Sequence, residues 1–261
     1  MSLGSLTLLF LLAASPARAV EVEVFVPLCD GAQLACGRAG AGEPRSLEAN
    51  LYWGAAYGAE RYLKRAPGFQ VRSRQDGAAD APVLRELVLE RTAGPGERPV
   101  RLRLRAYAGD RIDDALEDFL RAAAGGSSAD LLVWAGHDRL MDRPPPELKV
   151  PAGATPRPVA VLACESEKYF GPVLRELGVQ PVALTRSFMA PEAYLLEALA
   201  ASVAKHGPTA PGPLRAALVD AYARYQRITP RAAGTVFSKL GPAQVVAPPQ
   251  LEPAPAVQPK Q

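Results

Sequence analysis

The sequence predicts an α/β fold: a mainly parallel, doubly wound sheet with an antiparallel strand insertion. Two observations predict it. In the second half of the chain, short apolar runs such as "ADLLVWAGH", "RPVAVLAC" and "QPVALT" alternate with segments of helical length. Continuous apolar runs between helices are strands covered on both faces, as parallel sheets require. In the first half, "FQVRSR", "LRELVLERT" and "RPVRLRLRAY" follow one another without an intervening helix, and the last alternates Val or Leu with Arg. Alternation of that kind marks half-exposed strands, here read as the antiparallel insertion. A length of 261 residues accommodates one large domain, placed at 20–241.

Each element follows from local signals. The first 19 residues contain the apolar core "LTLLFLLAA" and end in "ARA", a small-x-small cleavage pattern, so they are read as a signal peptide that is removed. That core is too short to span a bilayer. "VEVEVFVPL" at 20–28 is the first strand, and "CDGAQLACGRAGAGEPRS" after it is a Gly-rich loop. A helix is expected over about 50–65, weakened by Gly54 and Gly58; their spacing suggests close approach of another backbone. "GPGE" at 94–97 turns the second insertion strand into the third. "DRIDDALEDFLRAAAGG" is an amphipathic helix with Asp110 as its N-cap and Gly125–Gly126 at its end. "EKYFGPVLRELG", "APEAYLLEALAASVAKHG" and "GPLRAALVDAYARYQRI" are the remaining helices. Residues 242–261 are rich in Pro, Ala and Gln and are read as a disordered tail.

Composition narrows the function classes. Apolar residues make up 48% and charged residues 22%, an ordinary globular balance. The net charge of +3 is spread without a basic block, so nucleic-acid binding is not indicated, and no segment after the signal is long enough to span a membrane. No Gly-x-Gly-x-x-Gly or phosphate loop opens a helix, and two histidines with scattered cysteines give no zinc-type spacing. No cofactor and no metal are therefore expected. The signal places the mature chain in the periplasm or outside the cell. There, three cysteines leave one over: Cys29 and Cys36 can close a small disulfide loop, with Cys164 either a free thiol or a small buried apolar residue.

The chemistry-bearing pattern is a pair of strand ends. "LLVWAGH" ends on His137 and "VAVLAC" on Cys164, 27 residues later, with a Pro-rich link between. Reactive groups in open parallel sheets gather at the carboxyl ends of strands, and one crossover leaves two strands adjacent or nearly so. An imidazole and a thiol on one rim are what nucleophilic thiol chemistry needs. A structural reading stands beside this one, with His137 a satisfied strand-end residue.

These two strand ends, in the order His then Cys, resemble the caspase–gingipain–legumain group of cysteine peptidases and the bacterial CHAT domains. The resemblance covers about 129–185 and, loosely, the first strand and helix. It implies a caspase-like sheet, a peptide or protein substrate, His137 as acid/base and Cys164 as nucleophile. The group has Gly after its His, whereas this chain has Gly136 before it and Asp138 after it. The Asp138 N–H remains available to an oxyanion, but its carboxylate opposes developing negative charge. That departure favours the alternative: a catalytically inactive exported domain of the same fold, binding a peptide, glycan or protein partner.

Supporting positions are assigned by their place at the expected rim. Glu165 and Ser166 follow the thiol, as oxyanion support or as caps of the next helix. Asp30 and Asn50 flank the first loop, to orient the imidazole or bind substrate, with a solvated turn as the other reading. Trp53 is a core residue or an aromatic wall. Arg186, Met189 and Glu192 follow the third core strand, where a substrate pocket would form. His206 is read as a charge at a helix end, without a catalytic role.

Overall fold

The computed structural model describes residues 18–38, 40–148 and 153–241. The expected signal peptide up to residue 17, and the expected disordered tail at 242–261, lie outside the described residues. Among the described residues seven strands are formed: β1 Val20–Pro27, β2 Phe69–Asp76, β3 Val83–Arg91, β4 Val100–Tyr107, β5 Leu131–Ala135, β6 Val159–Leu162 and β7 Pro181–Ala183. The helices are α1 Ala59–Leu63, α2 Ile112–Arg121, α3 Ser166–Glu176, α4 Tyr194–His206, α5 Pro211–Gln226 and α6 Pro230–Val236.

The strands make one mixed sheet in the order β2-β3-β4-β1-β5-β6-β7. From β4 through β7 neighbours are parallel, and β2 and β3 add an antiparallel edge. The protein is thus α/β, mostly parallel, with β1 inside the sheet. The expected insertion needs one correction: only β2 and β3 lie outside the parallel set, because β4 pairs in parallel with β1 along its whole length. Its Val and Leu residues point into the core while its arginines meet Glu21, Glu23, Glu86 and Glu90 of the flanking strands. Opposite charges facing one another across strands stabilise an uncovered sheet face.

Side-chain alternation builds two cores. Val20, Val22, Val24 and Val26 face one side, where α1, α4, α5 and α6 pack. On the other side Phe25, Phe119, Trp134 and Phe170 form an edge-to-face and tilted aromatic chain under α2 and α3. Helices therefore cover both faces of β5 and β6, the strands that read as apolar throughout, whereas β1 is covered on both faces only toward its end, where Phe25 lies.

The helix expected over 50–65 shrinks to Ala59–Leu63, and the residues before it form turns. Backbone crowding explains this. A Cβ on Gly54 would sit 2.2 Å from the Glu48 carbonyl oxygen, and one on Gly58 2.4 Å from the Trp53 carbonyl carbon. The two glycines mark the close backbone approach that their spacing suggests, within a folded-back turn. Asp110 does not cap α2; it lies in a 3-10 turn, Gly109–Arg111, and pairs with Arg45 at 2.9 Å. Gly125, at φ 112°, ends the following π turn as expected of glycine. Helix α6 was not anticipated, although Thr229-Pro230 is a start signal: the Thr229 hydroxyl accepts from Ala232 N, and Pro230 occupies the first turn.

Candidate functional site

The β5–β6 pairing places His137 and Cys164 on one rim. The strands are parallel neighbours, with Ala135 opposite Leu162. Both residues of interest lie two positions further on. Cys164 continues the face of Ala160 and Leu162, which looks toward α4 and α5. The link between the strands carries only the 3-10 turn Arg139–Met141 among its described residues.

Cys164 is the free cysteine and is half-buried. Its sulfur is bracketed by the Met189 backbone: Met189 N donates to Sγ at 3.4 Å, and the thiol reaches Met189 O at 3.6 Å. Burial pushes the thiol up from its usual range; the Met189 N–H works the other way, and the carboxylates of Asp138 and Glu165 add to the rise. Tyr52 and Tyr222 are both raised, chiefly by burial, and both feel the charges of Cys164 and Glu192.

His137 does not hydrogen-bond the sulfur. Its Nε2 lies 2.7 Å from Asp142 Oδ2, and its carbonyl accepts from Trp134 Nε1 at 3.0 Å. Arg139 bridges Asp142 and Asp113, fastening the turn to α2. The chain bends at Gly136, whose N–H still donates to Leu162 O at 3.3 Å; a Cβ there would meet Pro27 Cγ at 2.8 Å, so a side chain at 136 has no room. The sulfur takes its hydrogen-bond partners from Met189, and neither the imidazole nor the Asp138 carboxyl is among them.

Asp138 is wholly buried. Its Oδ1 accepts from Leu140 N at 3.0 Å, while Oδ2 has no hydrogen-bond partner. Burial pushes its carboxyl up to about 7; the N–H groups of Leu140 and Met141 oppose the rise, and Asp142 and Glu165 reinforce it.

The residues after Cys164 bind the sheet together. Glu165 adopts the left-handed conformation, φ 48° and ψ 31°, and precedes α3 without a side-chain cap. Ser166 is not the cap either. Its hydroxyl donates to Val161 O and accepts from Thr185 N, tying β6 to the chain after β7. Glu165 N, Ser166 N and Glu167 N donate to Ser187 O, Thr185 Oγ1 and Thr185 O. Those three amides are committed, so the start of α3 offers no free donors to an oxyanion.

Other expected positions have assigned partners. Cys29 is disulfide-bonded to Cys36. Asn50 clamps the first loop, accepting from Cys29 N and donating to the carbonyls of Cys29 and Glu43. Asp30 accepts from Ala32 N and Gln33 Nε2 within its own turn. Trp53 is core, its indole N–H donating to Glu60 at 2.7 Å. Arg186 is exposed and paired with Glu167. Glu192, raised by burial, accepts from Gln226 near Tyr52 and Tyr222. His206 lies in the last turn of α4.

Tyr52, Tyr222, Thr185 and Asp142 escaped the sequence reading. The tyrosines sit in apolar stretches where a core role and a site role look alike. Asp142 carried a signal in "HDRLMD", an acid five residues beyond the histidine across a one-turn spacer. Among the described residues, no group of three or more His, Cys, Asp or Glu side chains could hold a metal ion. No family model matches the chain, and no curated protein and no solved structure matches it.

Proposed function

We propose that this protein is an exported cysteine hydrolase of the caspase-like kind, acting on a peptide or protein, with Cys164 as nucleophile. The observation that carries the reading is the position of that thiol: free, half-buried, and at the carboxyl end of β6 beside the end of β5. Parallel sheets present reactive groups at this edge. The run of five parallel strands β4-β1-β5-β6-β7, with the first strand inside, supports a caspase-like arrangement. The Cys29–Cys36 disulfide fits an oxidising compartment, and no described helix is long and apolar enough to cross a membrane.

A second reading, the same fold binding a partner without catalysis, is favoured by one observation. The imidazole is engaged by Asp142 and the thiol is raised, so the resting site lacks an activated thiolate.

Acyl-transfer labelling separates the two. The protein is incubated with p-nitrophenyl acetate at pH 7.5, and acetylated Cys164 is quantified by mass spectrometry, with Cys164→Ala as control. The hydrolase reading expects Cys164 to acylate at least tenfold faster than the same thiol in urea-unfolded protein. A folded rate no greater than the unfolded one removes it.

A further inference from the structure

We infer that the backbone N–H of Met189 is the donor that stabilises the oxyanion formed when the Cys164 sulfur attacks a carbonyl. This rests on the hydrolase reading and names the oxyanion donor of the same site.

The supports expected from the sequence are committed elsewhere. Gly136 N donates to Leu162 O, Glu165 N to Ser187 O and Ser166 N to Thr185 Oγ1. No hydrogen bond joins Asp138 to the thiol, whose two partners are the N–H and the carbonyl of Met189. Met189 N lies 3.4 Å from Sγ and has no other acceptor among the described residues. It is a backbone donor already aimed at the nucleophile.

The chain on either side holds this N–H in place. Before it, Ser187 O accepts from Glu165 N at 3.0 Å, one residue beyond the thiol. After it, Ala190 N donates to the Tyr222 hydroxyl of α5 at 3.3 Å. The Met189 side chain is buried in the core that α4 and α5 cover. A donor fixed in this way needs no reorganisation at the moment of reaction.

The contact fits the reaction better than the resting state. Sulfur is a weak acceptor, so the N–H gains little from the thiol. An oxyanion is a strong one. The oxygen of an attacked carbonyl lies one bond from the carbon that joins the sulfur, so an N–H in reach of Sγ is in reach of that oxygen. The interaction therefore strengthens as the charge develops, which is what lowers a barrier. The surroundings call for such a donor. The Met189 carbonyl serves the thiol only while the proton is present, and the carboxylates of Asp138 and Glu165 oppose negative charge at the sulfur.

The steps balance. The thiol first gives its proton to solvent. The thiolate bonds to the carbonyl carbon, and the C=O pair moves onto the oxygen, where the Met189 N–H donates. The pair returns as the C–O or C–N bond breaks, and the leaving alkoxide or amine takes a proton from solvent. Water then adds to the thioester through the same oxyanion and releases a proton. The thiolate departs and takes one up.

Two substitutions at one position separate the N–H from the side chain. Met189→Ala and Met189→Pro both remove the thioether, and only the second removes the N–H. p-Nitrophenyl acetate passes through an oxyanion; iodoacetamide, which reacts by displacement of iodide, does not. Relative to Met189→Ala, Met189→Pro should acylate Cys164 about a hundredfold more slowly, the usual effect of one lost oxyanion donor. Its alkylation should fall only about fivefold, because the thiolate loses one hydrogen bond. Loosened packing moves both rates together, so acylation that falls no further than alkylation overturns the inference.

If Met189→Pro does not fold, the unsubstituted protein decides. Nitrogen-15-labelled methionine marks few amides, and Met189→Ala identifies the one at 189. After Cys164 is acetylated with p-nitrophenyl acetate, the Met189 amide proton should move downfield, since it then donates to the thioester oxygen instead of sulfur. An unmoved or upfield-shifted resonance overturns the inference. A folded protein that acylates Cys164 no faster than unfolded chain fails the hydrolase reading itself, whatever the methionine variants do.

Discussion

His137 Nε2 lies 2.7 Å from Asp142 Oδ2, so the imidazole at the end of β5 is tied into its own turn rather than held across the rim to Cys164. Arg139 joins the same carboxylate at 3.2 Å, making Asp142 the fastening point of the turn.

Asp142→Ala removes that point and has two consequences. The turn loses polar contacts at the surface, which costs about 0.5–1 kcal/mol and lowers the Tm by a few degrees. The variant also loses a negative charge that helps to hold Asp138 protonated. The Asp138 carboxyl should therefore titrate at lower pH in Asp142→Ala than in the unsubstituted protein. Infrared titration of the protonated-carboxyl band measures this, and an unchanged or higher midpoint would contradict it.

Asp138 links stability to pH in a direction unusual for an acid. Its carboxyl is raised in the folded protein to about 7, whereas an unfolded Asp titrates near 3.9. The folded state therefore binds a proton that the unfolded chain has released. The stabilisation is fully present below about pH 4 and is lost as pH rises through about 7, on the order of 4 kcal/mol in all. Asp138→Asn cannot titrate. Urea unfolding at pH 5 and pH 8 should show the Asn variant gaining on the unsubstituted protein by a few kcal/mol across that interval. A constant difference between the two proteins would show that the folded carboxyl titrates as in unfolded chain.

Much of this architecture was legible in the sequence because β5 and β6 are apolar on both faces, and their ends are marked. "LLVWAGH" and "VAVLAC" gave two strand ends, and their pairing follows from the single crossover between them. What was not legible depends on where a turn sends its side chains. The sequence offers His137 and Asp138 as consecutive residues, and only the turn that carries them decides that the imidazole goes to Asp142 while the next carboxyl is buried. Period-2 alternation likewise identifies β4 as half-exposed, but it cannot tell a parallel partner from an antiparallel one. The 50–65 segment misled for a related reason. Tyr52, Trp53 and Leu63 are all buried, yet Gly54 and Gly58 are there for close backbone contact that a continuous helix would not make.

A second polar cluster anchors the antiparallel edge. Arg85 on β3 donates to Glu60 of α1 at 2.7 Å and to Asp76 at the end of β2, and Trp53 donates to the same Glu60 oxygen. Burial pushes the Glu60 carboxyl up, but the Arg85 guanidinium and the indole N–H hold it below its usual range. Asp76 is held down to about 2 by Arg85 and Arg74, though it is half exposed and counts for less. Both folded values are depressed, so the stabilisation is present above about pH 4 and is lost as pH falls toward 2. Arg85→Ala leaves Glu60 buried beside Trp53 with only the half-exposed Lys64, 3.5 Å away, as its cation, at a cost of about 3 kcal/mol at pH 7. The cost should shrink as the pH is lowered to 3 and Glu60 takes up a proton. Urea denaturation at the two pH values checks this, and a pH-independent loss would point to packing rather than charge.

Two glycines in the chain should respond to alanine with opposite sign. At Gly54 the added methyl would lie within 2.5 Å of the carbonyl oxygens of both Glu48 and Leu47, so backbone must move to admit it. Those atoms belong to the turn that Asn50 clamps to Cys29, beside the disulfide, and cannot shift without breaking buried hydrogen bonds. Gly54→Ala should therefore destabilise the fold by about 3 kcal/mol. Gly234 lies inside α6, where a Cβ meets only the Arg215 guanidinium at 3.6 Å, an ordinary contact. Alanine there relieves the entropic cost of fixing glycine in a helix, and Gly234→Ala should stabilise by about 0.5–1 kcal/mol. Urea midpoints of the two variants give the signs directly. Should Gly54→Ala prove neutral, the tight turn over 47–58 is not the conformation that this segment holds in solution.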